Sequence, residues 1–226
     1  MSSDVNLDKL EKLTTASVSD VMDGKGVMYS TIKSKGSVGK ILGRAFTASS
    51  PPGDMLTCYW ALHEAPKGSV LVIDGGGYTE AAIWGSLMTY EAKLKGLAGV
   101  VINGSVRDTT NIKILEFPIY AISSTPKDGT IRGLGELGTN INCGGASVKP
   151  WDYVLGDEDG VVVIPADLID KVIEKAYEST EMEERIIKEL KKDNSLYDLF
   201  GLKDIVLKKE REDVGLLNEL IKEMGF

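Results

Sequence analysis

An arginine and an aspartate stand side by side just after an apolar run. The run Gly99-Val-Val-Ile-Asn103 predicts a buried strand, and the pair Arg107-Asp108 follows it closely. Ligand sites of open α/β sheets gather at the carboxyl ends of strands, so this loop is well placed for binding. Arg107 can grip a carboxylate with two parallel hydrogen bonds, and Asp108 can ligate a hard cation such as Mg²⁺. Without further context, such a pair is more often a solvated turn.

A second group of residues could bind an anion through its backbone. Asp74-Gly-Gly-Gly77 ends another apolar run, and its three glycines either let the backbone approach a ligand or form a simple loop. Gly85 interrupts a helical pattern, so the helix begins near it or a ligand or another backbone passes close to it. If the helix begins at Ser86, the amides of Leu87 and Met88 lack intrahelical acceptors and are available to a carboxylate.

Three other patterns are interpreted as structural. Gly133-Leu-Gly-Glu-Leu-Gly138 has the GxGxxG spacing of dinucleotide sites, but a strand and a turn follow it rather than a helix, so we reject a nucleotide site. His63 is the single histidine, lacks the nucleophile motif of a triad and is expected at a helix edge. Cys58 and Cys143 lie in unrelated segments and are expected to pack in the core, so any metal must be held by oxygens.

The elements that would position these residues alternate between strand and helix. β-branched runs predict strands at Ser69–Asp74 and Gly99–Asn103, and a periodic apolar stripe predicts a helix over about Glu80–Lys95 that Gly96 ends. A strand, a helix and a strand over about 30 residues make a βαβ unit. Further short strands are predicted at Pro118–Ile122, Asn140–Cys143 and Gly160–Ile164. The predicted fold class is therefore a mixed α/β sheet domain.

The composition changes near Pro165, where a glycine-rich segment gives way to one rich in Glu, Lys, Leu and Ile. We therefore expect an α/β core domain over residues 1–165 and a helical C-terminal extension over residues 166–226. The extension is predicted to contain one long helix, about Asp167–Lys191, and a weaker helical stretch at about Gly215–Met224.

A carboxylate interrupts the apolar face of the predicted long helix. Between Thr180 and Ile187, the position on that face is Glu183. Either Glu183 lies at a partly exposed edge where its charge reaches water, or the helix delivers it into a site or an interface.

The overall charge and the apolar runs exclude several classes of protein. The 226 residues include 26 Lys and Arg against 34 Asp and Glu, and the net charge of −8 argues against nucleic-acid binding. The longest apolar stretches, such as Leu97–Ile102, are far shorter than the roughly 18 residues of a membrane helix. The start at Met1 lacks the features of a secretory signal, and two cysteines make no disulfide framework. We expect a cytoplasmic protein without membrane partners.

Several blocks of the sequence resemble a single protein family. The blocks are Ser17–Asp23, Gly43–Thr47, Ala82–Met88, Leu97–Asp108, Phe117–Ala121, Cys143–Gly145 and Gly156–Pro165. In this order they are similar to the family that contains 4-hydroxy-4-methyl-2-oxoglutarate aldolases and the RraA-type regulators of ribonuclease activity. The resemblance covers about residues 14–190.

The resemblance implies an RraA-like swivelling β/β/α domain that forms homotrimers, or hexamers of two trimers, with sites between subunits. It implies a divalent-metal-dependent aldolase or lyase that cleaves a 4-hydroxy-2-oxo acid to pyruvate, with oxaloacetate decarboxylation as a side activity. The small 2-oxo acid would be bound by Arg107 and by the backbone around Gly85, Ser86, Leu87 and Met88.

The same carry-over implies that Asp108 ligates Mg²⁺ or Mn²⁺. It also implies that Glu183, with Glu184 as its competitor in register, presents an acid from a neighbouring subunit. The chain departs from the aldolase pattern at Ser86, where Asp or Glu is usual, and at Asn103, where an acid is common. The presence of Asp108 favours the aldolase branch over the alternative, a non-catalytic regulator that binds a ribonuclease or another protein. A lyase acting on another 2-oxo acid is the third possibility.

Overall fold

The computed structural model describes residues 5–36 and 39–209. The chain divides into two compact units, Met1–Tyr177 and Glu178–Phe226. The helical stretch predicted at Gly215–Met224 lies outside the described residues.

A mixed β-sheet forms the centre of the first unit. Its strands are β1 (Lys33–Ser34), β2 (Ile41–Ser49), β3 (Ser69–Asp74), β4 (Ala82–Trp84), β5 (Gly99–Val106), β6 (Ile119–Ser124), β7 (Glu136–Leu137), β10 (Tyr153–Gly156) and β11 (Val161–Ile164), while β8 (Ile141–Cys143) and β9 (Ala146–Val148) form a separate hairpin. Within the described residues the sheet order is β1-β6-β5-β3-β2-β10-β11, with β4 beside β5 and β7 beside β2. The central strands β2, β3, β5 and β6 are parallel, so their carboxyl ends meet at one edge.

Helices and the hairpin cover the two faces of the sheet. The helices are α1 (Val5–Leu10), α2 (Thr15–Val21), α3 (Leu56–Glu64), α4 (Ser86–Lys95), α5 (Thr109–Ile114), α6 (Ile169–Leu190) and α7 (Leu196–Leu199). On one face, Leu71 and Ile73 pack with side chains of α3, α4 and α5. On the other face, Val70 and Val72 pack with the β8–β9 hairpin. Because both faces are covered, the central strands are apolar along their length rather than alternating.

The strands and the βαβ unit are where the sequence predicts them, but the helix before β5 is shorter than predicted. The predicted helix over Glu80–Lys95 is wrong in its first part, since Ala82–Trp84 is β4 and pairs with β5. Ile83 and Trp84 are fully buried, and their bulk favours a strand there. The remainder of the prediction is confirmed as α4, which Gly96 ends in the left-handed conformation with φ 72°.

The long helix of the C-terminal region is confirmed as α6. Its first turns bury Val172, Ile173 and Ala176 against α1, α2 and β11. In the second unit, by contrast, none of the described residues, 178–209, is buried, and large apolar side chains such as Met182 and Ile187 are exposed. The predicted domain boundary after residue 165 stays a prediction. No helix within the described ranges is long and apolar enough to cross a membrane.

Candidate active site at the carboxyl ends of β4 and β5

The Arg107-Asp108 pair lies at the junction between β5 and α5. The Arg107 amide donates to the Trp84 carbonyl at 2.9 Å, which fixes the end of β5 beside the end of β4. Asp108 adopts the left-handed conformation, with φ 61° and ψ 35°, at the N-cap of α5. Its carbonyl accepts from the Ile112 amide, but its carboxylate makes no capping bond to α5. Positive φ is uncommon for a non-glycine residue, and aspartate tolerates it better than most.

The Asp108 carboxylate points to the start of the neighbouring helix instead. Its Oδ2 accepts hydrogen bonds from the Ser86 amide at 3.2 Å and from the Ser86 hydroxyl at 3.0 Å. Gly85 has an extended φ of −146°, so its backbone does not require glycine, but a Cβ there would stand 3.1 Å from the same Oδ2. The absence of a side chain at Gly85 therefore lets Asp108 reach α4.

A buried tryptophan holds the start of α4 in place. The Trp84 indole donates to the Thr89 hydroxyl at 3.0 Å, and that hydroxyl donates to the Gly85 carbonyl at 2.9 Å. Trp84 and Thr89 are both almost fully buried. A buried hydrogen-bonded pair of this kind fixes the path of the chain through Gly85.

The first turn of α4 presents unsatisfied amides at the site. Gly85 is the N-cap and has no side chain to cap the helix. Among the described residues, the Leu87 and Met88 amides donate to no acceptor. The predicted helix start at Ser86 is confirmed. Because helix N-termini carry partial positive charge, these amides are available to an anion, and carboxylate binding by them stays a prediction.

Arg107 lies between two carboxylates. Its Nη1 is 2.7 Å from Oδ2 of Asp128, and its Nε is 3.9 Å from Oδ2 of Asp108. A pocket of about 310 Å³ opens beside the pair. The residues that line it are Arg107, Asp108, Thr109, Thr110, Asn111, Ser124, Thr125 and Pro126. A small polar acid fits a pocket of this size and lining.

The amides of the triple-glycine loop donate to acceptors within the protein. The Gly75 and Gly77 amides donate to the Asn103 carbonyl at 3.1 and 3.0 Å, and the Gly76 amide donates to the Asp74 carboxylate at 2.9 Å. The Asn103 side chain also donates to Asp74, at 2.8 Å. The loop is therefore a structural turn, and an acid in place of Asn103 would repel Asp74.

The structure brings together six of the seven predicted site residues. Arg107, Asp108 and the segment Gly85–Met88 share the edge of the sheet described above. Glu183 is exposed on the part of α6 that belongs to the second unit, and its role stays a prediction. Sequence reasoning missed Trp84, Thr89 and Asp128, because nothing in their local pattern distinguishes them from ordinary core and loop residues.

The described residues contain no group of three or more His, Cys, Asp or Glu side chains that could hold a metal ion. A cation here would take Asp108 as its protein ligand and complete its shell with substrate oxygens and water. Mg²⁺ tolerates this arrangement, because it usually keeps several waters and one or two protein carboxylates. A single protein carboxylate is compatible with a hard divalent cation only on these terms, and the metal stays a prediction.

The glycine-rich motif forms a loop rather than a nucleotide site. Oδ2 of buried Asp54 accepts from the Thr130 hydroxyl at 2.5 Å, the Arg132 amide at 2.8 Å and the Gly133 amide at 3.1 Å. A Cβ at Gly135 would lie 1.8 Å from the Ser49 carbonyl, so glycine is required there by close approach to β2. The rejection of a dinucleotide site is consistent with this loop, which leads into β7 rather than a helix.

The histidine and the cysteines lie where the sequence predicts. His63 is exposed near the end of α3. Cys58 and Cys143 are both free and fully buried, and burial raises the pKa of the Cys58 thiol to about 12 and the pKa of Cys143 further still. Neither cysteine is a reactive thiolate near neutral pH.

Comparison with known proteins agrees with this geometry. Residues 15–163 match the RraA-like family model, described as Aldolase/RraA. A relative from Halalkalibacterium halodurans, provisionally named a 4-hydroxy-4-methyl-2-oxoglutarate aldolase, is 37% identical over 164 residues, which are 73% of this chain and 78% of the relative. A Thermus thermophilus protein named 4-hydroxy-4-methyl-2-oxoglutarate aldolase is 38% identical over 104 residues, covering 46% of this chain and 63% of its own length.

Solved structures agree on the fold. A protein from Pseudomonas syringae aligns with a TM-score of 0.76 at 27% identity, covering 87% of this chain and 96% of its own. The RNA-processing inhibitor RraA from Thermus thermophilus aligns with a TM-score of 0.63 at 32% identity, covering 68% of this chain and 93% of its own. These matches confirm the predicted fold class, an RraA-like α/β domain with a helical C-terminal part, and the chain belongs to the RraA-like family.

Proposed function

We propose that this protein is a divalent-metal-dependent aldolase that cleaves a 4-hydroxy-2-oxo acid to pyruvate and a second carbonyl compound. The arrangement of Arg107 and Asp108 around the uncapped start of α4 is the observation that carries the proposal. It offers a guanidinium and a carboxylate at one polar pocket, with the unpaired amides of α4 beside Asp108. Relatives named as aldolases support the same reaction class.

The chain's own residues bind and polarise the substrate. Arg107 holds the carboxylate and keto oxygens of the 2-oxo acid, while the Leu87 and Met88 amides bind its carboxylate. Cleavage removes the proton of the C4 hydroxyl, breaks the bond between C3 and C4, and leaves a pyruvate enolate that takes a proton at C3. Arg107 stabilises the negative charge that develops on the enolate oxygen.

Asp108 is the proposed ligand of Mg²⁺ or Mn²⁺. The bound cation supplies Lewis-acid stabilisation of the enolate. Ser86 gives Asp108 two neutral hydrogen bonds in place of a second acid, so the cation has fewer charged ligands and we expect weak metal affinity. Oxaloacetate decarboxylation passes through the same enolate, and it is the proposed side activity.

We further propose that the protein works as a homo-oligomer, a trimer or a hexamer, and that Glu183 of a neighbouring copy accepts the C4 hydroxyl proton. Exposed apolar side chains beside the pocket support self-association, since Leu87 is 85% exposed and Ile114 is 74% exposed. The unburied apolar residues of the second unit support it as well. The two free cysteines agree with a reducing cytoplasm, the compartment that we propose.

Pyruvate release tests the proposed reaction. Purified protein is incubated with oxaloacetate and with 4-hydroxy-2-oxo acids, including 4-hydroxy-4-methyl-2-oxoglutarate, in the presence of Mg²⁺ or Mn²⁺ or of EDTA. We expect release that requires metal and that falls by about a hundredfold or more in Arg107→Ala, because the main electrostatic contact with the enolate is lost. A wild-type rate in this variant would refute the assigned site.

A regulator of RNA processing is the second candidate function. It is favoured by the structural similarity to the RNA-processing inhibitor RraA. Stoichiometric recovery of a ribonuclease with this protein, together with inertness toward every 2-oxo acid tested, would support the regulator and exclude the aldolase.

A further inference from the structure

The inference concerns Asp128, which binds the arginine of the proposed site. Asp128 lies between β6 and β7, and its Oδ2 is 2.7 Å from Nη1 of Arg107. Its backbone is anchored, because Asp128 forms a bridge with Ala82 and the Lys127 carbonyl accepts from the Ala82 amide at 2.8 Å. Asp128 therefore faces Arg107 from a segment attached to the strand that leads into the site.

This contact alters the charge that a substrate meets. Among the described residues that line the pocket, Arg107 is the one cationic side chain. Arg107, Asp108 and Asp128 together carry one net negative charge. A bound divalent cation would reverse this to one net positive charge, which the single carboxylate of a 2-oxo acid balances. Among the described residues that line the pocket, a second carboxylate on the substrate would find no further cationic side chain to pair with.

The rest of the pocket is lined by neutral hydrogen-bonding groups. Hydroxyls come from Thr109, Thr110, Ser124 and Thr125, and an amide comes from Asn111. Within the described part of the chain, the side chains of Thr109, Thr110, Asn111 and Ser124 make no hydrogen bond to protein. Such groups can donate to and accept from hydroxyls, and they offer a carboxylate no charge compensation.

We propose that Asp128 is a specificity-determining residue that selects 4-hydroxy-2-oxo acids whose far end carries hydroxyls rather than a second carboxylate. This inference rests on the proposed function for its choice of substrate, a hydroxylated 2-oxo acid of the kind derived from sugars. Asp128 acts by neutralising Arg107 and by repelling a second substrate carboxylate, so dicarboxylates such as oxaloacetate are expected to be the weaker substrates.

A matched pair of substrates tests the inference. 4,5-Dihydroxy-2-oxovalerate and 4-hydroxy-2-oxoglutarate both release pyruvate and differ at C5, which is a hydroxymethyl group in the first and a carboxylate in the second. We expect the kcat/KM of the wild type to favour the dihydroxy acid by about tenfold or more. In Asp128→Asn we expect this ratio to shrink at least about threefold, through a lower KM for the dicarboxylate. Glu91→Gln, the same type of change at an exposed position of α4, should leave the ratio unchanged.

Two outcomes overturn the inference. One is a wild-type preference for the dicarboxylate. The other is an Asp128→Asn variant that slows both substrates equally, since Asp128 would then only orient Arg107.

Binding of an uncleavable pair separates this inference from the aldolase proposal. 2-Oxoglutarate and its C5 methyl ester lack the C4 hydroxyl, and calorimetry with Mg²⁺ measures their affinities without turnover. Tighter binding of the ester to the wild type, with a smaller difference in Asp128→Asn, supports the inference even if no substrate releases pyruvate. Equal affinities, or no binding of either compound, refute it.

Discussion

At the scale of single residues, the site depends on how closely Asp108 approaches the start of α4. The type and position of Arg107 and Asp108 were predictable, because their chemistry and their place after a strand are visible in the sequence. The partner Asp128 was not, since it lies 20 residues further on in a loop without a motif. The parallel pairing of β5 with β6 and the bridge between Asp128 and Ala82 bring this loop beside Arg107.

We predict that Gly85→Ala impairs activity while the fold persists. The new Cβ would lie 3.1 Å from Oδ2 of Asp108, so this carboxylate must shift by a few tenths of an ångström. A displacement of catalytic groups on this scale is expected to lower kcat/KM for pyruvate release by about tenfold. Gly39→Ala is the control, because a Cβ there meets nothing closer than 4.0 Å. Equal activity of the two variants would contradict the packing argument.

At the scale of elements, the buried strands were predictable and the boundary between β4 and α4 was not. β3 matches its predicted range, because six consecutive residues bounded by glycine have the composition of a buried parallel strand. Ala82–Trp84 follows the same helical periodicity as α4, so periodicity alone assigned it to the helix. Its pairing with Ser105 and Val106 is a tertiary interaction that a local pattern does not contain.

The loop before β7 gives a prediction for stability. Burial alone would raise the pKa of Asp54, but hydrogen bonds from Thr130, Leu56, Arg132 and Gly133 outweigh it and lower the pKa to about 2. Since the folded-state pKa lies below the ordinary value of about 3.8, ionised Asp54 stabilises the fold above that value, and the stabilisation is lost as the pH falls toward 2. Asp54→Asn should lower the free energy of unfolding at pH 7 by about 1–3 kcal/mol, because at least one of the part-buried amides bonded to Asp54 loses its acceptor.

Urea unfolding followed by circular dichroism measures this effect. The difference between wild type and Asp54→Asn should narrow as the pH is lowered from 5 toward about 3. Asp20→Asn, at an exposed position of α2, serves as the control. A variant as stable as the wild type at pH 7 would show that the loop does not depend on this carboxylate.

At the scale of the whole molecule, the described part of the second unit has apolar surface but no core. The resemblance at the sequence level implied subunits that share sites, whereas periodicity alone left Glu183 as either a solvated residue or a delivered acid. The periodicity of one chain does not show which surfaces contact another copy, so the role of Glu183 could not be predicted from the amino-acid pattern.

Mixing two inactive variants tests the shared site. If Arg107 and Glu183 of one site come from different copies, Arg107→Ala and Glu183→Gln proteins that are unfolded and reassembled together should regain activity, because some sites then contain both native residues. Random assembly predicts about a quarter of the wild-type rate of pyruvate release. The Glu184→Gln variant, mixed with Arg107→Ala in the same way, tests whether Glu184 rather than Glu183 supplies the acid. A mixture no more active than its components would contradict the shared site.

The loop that binds Asp54 uses the hydrogen-bonding pattern of an anion-binding loop. Backbone amides of Arg132 and Gly133 converge on one carboxylate oxygen, in the way that nucleotide-binding loops converge on a phosphate. In this chain the anion is built in, covalently attached to the protein some eighty residues earlier. Within the motif itself, Gly133 donates to Asp54 and Gly135 donates to Thr57, so these glycines join the loop to the start of α3, and a free phosphate would have to displace a carboxylate that is part of the chain.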